Sequence, residues 1–303
     1  MEKMEMTEIS IPVPWGIIAG YTVGDPKHPP VLCSHGIQDN CNSFFQLLPL
    51  LPTSFYYVCI DLPGHGKSSN FSAGTYLDIL MYSFSIKRIV DHFGWEKMYY
   101  LGHSVSGTIG HYFAFLYPQH VVKLISIDAY FPKVYKNEEL IKRMKDFHSL
   151  MIKIEKQISG KQPPTYSVDD FVKKMLTNRK THLTPNLAKN MVQRSLVEVE
   201  PKRYMFQTDW RLKIGLPVHL EKDLVKYILN QIQCPILLIE AMERNLENSM
   251  YPLDNTRFYQ KILLQKSNVV FHIVKGDHDV HILHPERLVS IITSFLLTQI
   301  SHL

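Results

Sequence analysis

No stretch of the 303-residue chain offers the roughly 20 consecutive apolar residues that a membrane-spanning helix needs. No membrane span is therefore expected. The opening residues Met1–Glu8 have no apolar core of the kind a secretory leader carries, so an intracellular location is expected. Cysteine is scarce: Cys33, Cys41, Cys59 and Cys234, with no C-x-x-C pair. Cys33, Cys59 and Cys234 lie in or beside apolar runs and read as small buried hydrophobes in a reducing compartment. No H-E-x-x-H or comparable histidine grouping is present, so neither a metal nor a cofactor is expected. Basic runs are short and no zinc or RNA-recognition motif occurs, which argues against a nucleic-acid partner. Internal repeats and low-complexity tracts are missing as well.

What remains is the composition of a soluble globular protein, 45% hydrophobic and 20% charged. The length suits one large α/β domain or two small ones and a core that needs no staples. The formal charge of +5 is unevenly placed: residues 130–228 hold 20 Lys/Arg against 11 Asp/Glu, and the rest holds 13 against 17. A solvated lysine-rich helical surface explains this, as does attraction of an anionic substrate.

Periodicity organises the chain. Glu8–Val13 and Gly16–Val23 read as paired strands around Pro14-Trp15-Gly16. Pro30–Ser34, Phe55–Ile60, Met98–Leu101, Val122–Ile127, Pro235–Glu240 and Asn268–Val274 are short continuous apolar runs, the pattern of buried parallel strands. Helical spacing over 42–51, 76–93, the stretch from Thr108 to Tyr117, and Pro285 to about Gln299 alternates with them. Such alternation predicts a mostly parallel sheet covered by helices. From about 131 to 228 the alternation stops, and helices are expected at 137–159, 168–177, 184–196 and 219–232.

The stretch Tyr99-Tyr100-Leu101-Gly102-His103-Ser104-Val105-Ser106-Gly107 joins a strand to a helix. A serine between small residues at such a junction fits a nucleophile elbow, where the turn is so tight that the serine Oγ projects above the sheet. The usual G-x-S-x-G is altered here, with Ser106 in the second glycine position and Gly107 one place later. Taken alone, the motif also suits an ordinary loop. A serine hydroxyl needs a base and a group that orients the base. His278, in Lys275-Gly276-Asp277-His278-Asp279-Val280, follows the last strand, at the sheet edge where ligand and catalytic groups collect. His281 and His284 fall toward or inside the final helix. An oxyanion hole needs two backbone N–H groups: Val105, after the serine, and Ile37, in the loop Ser34-His35-Gly36-Ile37-Gln38-Asp39-Asn40. There Gly36 is expected to let the backbone turn, although a simple strand-ending turn reads the same way.

These loops, with Asp61-Leu62-Pro63-Gly64-His65-Gly66-Lys67-Ser68 and Pro285-Glu286, occur in an order and spacing that resembles an α/β-hydrolase fold. Within it the chain is similar to the serine hydrolase-like (kraken-type) proteins. The resemblance implies a mostly parallel central sheet flanked by helices. The core would be 1–130 and 233–303, with a helical cap inserted at 131–232. Related dehalogenases and epoxide hydrolases carry aspartate where Ser104 stands, so the resemblance implies a carboxylic ester or thioester hydrolase working through an acyl-enzyme. Tyr130, Phe131 and Trp210 would line the acyl pocket from the cap. The acid is open. Relatives commonly place it about nine residues after the proline near Pro235, which here falls on Arg244, beside Glu243. Others place it after the strand that follows the elbow helix, which here is Asp128. The site expected is Ser104, His278 and Asp128, with Glu243 as the alternative acid. A chain with no working acid would be a low-activity or non-enzymatic ligand-binding protein on the same fold.

The terminal Ser301-His302-Leu303 is a variant of the S-K-L address read by the peroxisomal import receptor. It leaves peroxisome and cytoplasm as alternatives. A fluorescent protein carrying the last dozen residues should collect in peroxisomes if the address is read, and a diffuse signal would refute it.

Overall fold

Residues 5–131, 135, 137–179, 181–216, 220–243 and 253–299 are described in the computed structural model. Arg244 and Ser301-His302-Leu303 lie outside them. The strands are β1 (Met6–Val13), β2 (Gly16–Val23), β3 (Pro30–Ser34), β4 (Tyr56–Ile60), β5 (Met98–His103), β6 (Val121–Ile127), β7 (Leu196–Glu200), β8 (Arg203–Phe206), β9 (Ile236–Ala241) and β10 (Val269–Val274). The helices are α1 (Ile79–Phe93), α2 (Val105–Leu116), α3 (Asn137–Ile158), α4 (Val168–Asn178), α5 (Pro185–Arg194), α6 (Lys222–Gln231), α7 (Leu253–Leu263), α8 (Val280–Leu283) and α9 (Glu286–Leu297).

Eight strands form one sheet in the order β1-β2-β4-β3-β5-β6-β9-β10. The β1–β2 and β2–β4 pairs are antiparallel and the others parallel. The apolar strands are continuous because successive side chains feed opposite cores. On one side Leu32, Val58, Tyr100 and Leu124 pack with α1 and α2. On the other, Cys33, Cys59, Leu101, Ile125 and Ile239 pack with the Cys41–Leu51 segment and α9. Cys33, Cys41 and Cys59 are free thiols buried in that second core. Among the described residues no helix is long and apolar enough to cross a membrane.

Four elements differ from the sequence expectation. The helix expected over 42–51 is instead two short 3-10 turns, Cys41–Phe44 and Leu48–Leu50. Pro49 lacks the N–H that would continue an α-helix from one turn to the next. The chain between β6 and β9 holds a two-stranded hairpin, β7–β8, where only helices were expected. The alternation Val197-Glu198-Val199-Glu200 is a strand signal. Helix α7 was not anticipated, yet a parallel β9–β10 pair requires a crossover, and α7 lies between the two strands. His281 belongs to the separate short helix α8, and His284 ends that helix rather than entering α9.

The chain between β6 and β9 is tied to the sheet by buried charge and by shared core. Arg194 meets Asp61 at 2.9 Å and Glu8 at 2.7 Å. Arg211 pairs with Asp209 and donates to the carbonyls of Phe71, Ser72 and Thr75. Leu183 and Met191 pack on Ile282 of α8. Helix α6 buries Val225, Ile228 and Leu229 in the same cluster as α1 and α2. Part of the positive excess of this segment is thus turned inward and neutralised.

Lys123 of β6 anchors the far end of the sheet. It is 1% exposed, and its ammonium donates to Phe295 O at 2.6 Å, Leu296 O at 3.3 Å and Thr298 O at 2.5 Å. These carbonyls end α9 and lack intrahelical donors, and a cation there also opposes the helix dipole. Lys123→Met keeps the stem but strands the carbonyls. It should cost about 1.5–3 kcal/mol in urea unfolding, whereas an unchanged midpoint and slope would contradict this role.

Candidate active site

Strand β5 ends at His103 and helix α2 begins at Val105, so the whole turn between them is Ser104. Its backbone sits at φ 54° and ψ −123°, a conformation that costs a non-glycine residue on the order of 1–3 kcal/mol. Surrounding atoms hold it there. Ser104 N donates to Ile127 O at 3.0 Å, and Gly107 N donates to Ser104 O at 2.9 Å. A Cβ on Gly102 would lie 2.6 Å from the backbone C and O of Ser106. One on Gly107 would strike Ser126 Oγ and come within 2.6 Å of Ala129 Cβ. The departure at Ser106 is absorbed: its buried hydroxyl donates to His35 O at 2.5 Å and shares a hydrogen bond with Ser34 Oγ at 2.8 Å. The elbow helix is thereby tied to the end of β3.

Three of the expected residues form one hydrogen-bonded row. Ser104 Oγ is 2.9 Å from His278 Nε2, and His278 Nδ1 is 2.5 Å from Asp128 Oδ2. Asp128 follows β6 at φ 46° and is 2% exposed. Its N–H donates to Ile239 O at 2.7 Å, and its Oδ1 accepts from Ala241 N at 3.0 Å. The end of β9 therefore carries the carboxylate across to the loop after β10. Glu243 lies exposed in the turn after β9, and its N–H donates to Gly276 O at 2.9 Å. The Nδ1 position of His278 is filled by Asp128. Burial disfavours the imidazolium of His278, but the hydrogen bond and charge of Asp128, with Asp279 adding, outweigh it and raise its pKa. His103, which the sequence reading passed over, donates from Nε2 to His278 O at 2.8 Å. Its ring lies 4.6 Å from that of His278 and 3.9 Å from that of His281. Burial holds both His103 and His281 well below the ordinary imidazole pKa.

The loop after β3 turns at a different residue from the one expected. The left-handed backbone is at Gln38, φ 64°, not at Gly36. Asp39 N closes the turn on Gly36 O at 3.1 Å, and Gln38 N donates to His65 Nε2 at 3.0 Å. Gly36 is needed for space, since a Cβ there would stand 2.9 Å from His103 Nδ1. Ile37 and Val105 line one cavity of about 250 Å³ together with Gln38, Ile79, Leu212 and Leu216. Val105 is in the first turn of α2, where N–H groups lack intrahelical acceptors and the dipole favours negative charge. Tyr130 and Phe131, expected in the pocket, are instead buried in the main core at 2% and 0% exposure. The wall they were to form comes from the segment after Trp210.

A family model described as the alpha/beta hydrolase fold matches residues 29–285. The chain belongs to the α/β-hydrolase fold family. It is 30% identical to Serine hydrolase-like protein 2 of Homo sapiens over 299 residues, covering 96% of this chain and 94% of that protein. Among solved α/β-hydrolase structures, the hypothetical protein PA1622 from Pseudomonas aeruginosa PAO1 superposes with a TM-score of 0.83 at 22% identity, over 96% of this chain and all of that one. The thioesterase domain from the curacin biosynthetic pathway gives 0.76 at 20% identity, over 95% and 99%. At those identities the structures speak for the fold. The resemblance to the serine hydrolase-like proteins extends over nearly the whole chain.

Proposed function

We propose that this α/β-hydrolase is a serine hydrolase that cleaves a small or medium carboxylic ester or thioester through an acyl-enzyme. The observation that carries this reading is the Ser104–His278–Asp128 row, with links of 2.9 and 2.5 Å. The cavity lined by Ile37 and Val105 adds to it. Ser104 Oγ attacks the acyl carbon while His278 Nε2 takes its proton. The carbonyl electron pair moves to oxygen, where the Ile37 and Val105 N–H groups receive the charge. Collapse expels the alcohol or thiol, which leaves with the proton from His278. Water then repeats the cycle and frees the acid and Ser104. Asp128 keeps Nδ1 protonated and stabilises the imidazolium. A cavity of about 250 Å³ is smaller than most drug-sized sites, which suits a short acyl group. The cap expected at 131–232 contributes Leu212, Ile214 and Leu216 to the cavity's lining. The name of the human relative fits a hydrolase.

A fluorophosphonate probe should label the wild-type protein and leave Ser104→Ala unlabelled. Absence of labelling in folded wild type would instead favour a ligand-binding protein. Asp128→Asn should lower kcat on a short p-nitrophenyl ester by about 10³–10⁴-fold, the scale of such changes in serine proteases. Glu243→Gln should not. The reverse result would move the acid to Glu243. His278 must be neutral to accept the proton, so its raised pKa predicts that kcat/KM falls on the acid side, with a midpoint above about 6.5.

A further inference from the structure

A single guanidinium bridges the two loops that carry the proposed oxyanion hole and the proposed base. Arg179 follows α4 and donates from Nε to Asp279 Oδ2 at 2.5 Å and from Nη2 to Asp279 Oδ1 at 2.6 Å. It also donates from Nη1 to Asp39 Oδ1 at 2.6 Å and from Nη2 to Asp39 Oδ2 at 3.2 Å. Asp39 lies two residues beyond Ile37, and Asp279 directly follows His278. Both aspartates are buried, at 3% and 1% exposure. Thr181 donates its hydroxyl to Asp279 as well. We infer that Arg179 is a positioning residue, which sets the Ile37 loop and the His278 loop in register and makes the inserted segment part of the site's geometry. The inference rests on the hydrolase reading above.

The planar fork of arginine fixes direction as well as distance, and each carboxylate is held through two oxygens. Neither aspartate touches Ser104, so both act through neighbouring backbone. An oxyanion amide and a base must stay within about 0.5 Å of working geometry, and a misplacement of 1 Å can cost about 100-fold in rate. Arg179 also balances charge beside His278. The groups acting on His278 are Asp128 from the end of β6, Asp279 on its own loop, Arg179 from the insertion, and the ring of His103, which in turn meets that of His281. Asp279 raises the pKa of His278 and Arg179 lowers it. Burial works against the charge of Asp279, but Arg179 overcomes this and holds its carboxyl well below the usual range. Removing Arg179 alone would leave two buried carboxylates unpaired, one of them beside His278.

The test compares wild type with Arg179→Lys, Arg179→Met and the neutral triple variant Arg179→Met/Asp39→Asn/Asp279→Asn. It uses a short p-nitrophenyl ester, fluorophosphonate labelling and thermal unfolding. Arg179→Met should lower kcat by about 10- to 100-fold and move the acid limb of kcat/KM to higher pH, with KM changing less. Arg179→Lys keeps the charge without the fork, so it should hold the limb near its wild-type position while kcat stays reduced. The triple variant should recover thermal stability and return the limb toward lower pH, again with reduced kcat. If Arg179→Met does not fold, the other two variants decide. Wild-type kcat in Arg179→Lys and in the triple variant would overturn the inference while leaving the hydrolase reading intact. A folded wild type that neither labels nor turns over ester would overturn both.

Discussion

The site depends on one costly backbone conformation. Ser104 at φ 54° persists because β5, β6 and α2 are brought so close that the chain has no other course. Gly102 and Gly107 remove the side chains that would separate strand from helix. Ser106 uses the space normally left by a glycine to bind the end of β3. That contact runs from the elbow to the His35-Gly36 turn, and so to the loop of Ile37. Fixing Ser104 therefore also fixes one wall of the cavity beside it.

The sheet supplies the rest through its order. With β5, β6, β9 and β10 adjacent, serine, aspartate and histidine come from three different strand ends on one edge. Strand β9 contributes no member of the row, yet its final N–H at Ala241 holds Asp128 Oδ1. His103 braces the histidine loop from below through the carbonyl of His278. The chain between β6 and β9 brings a second set of constraints through Arg179, Arg194 and Arg211, each paired with carboxylates. Breaking such a buried pair on one side is far costlier than its net worth when intact. These arginines therefore do more to fix where the insertion sits than to raise stability.

How far the sequence carries varies with the range of the interaction. The α/β alternation, the elbow and the strand-end loops are local patterns, legible as composition and spacing over a few residues. Asp128 was the expected acid but Glu243 stayed open beside it, because spacing does not say which strand end leans across its neighbour. The β6–β9 pairing and the Ala241 N–H place the Asp128 carboxylate against His278. The β7–β8 hairpin carried a clear period of two but sat among helical patterns that outweighed it. Gly36 was the expected turning residue, yet the turn is taken by Gln38 while Gly36 makes room for His103. Arg179 is one basic residue among 33. Its two carboxylates lie 140 and 100 residues away in the chain, beyond any local signal.

The proposed hydrolysis passes its acyl group through Ser104. Its most direct test is mass spectrometry of protein acid-quenched during turnover of a short p-nitrophenyl ester and then digested. An acyl increment is expected on the peptide that contains Ser104, lost in Ser104→Ala. An increment on a different residue, or turnover that continues in Ser104→Ala, would contradict it.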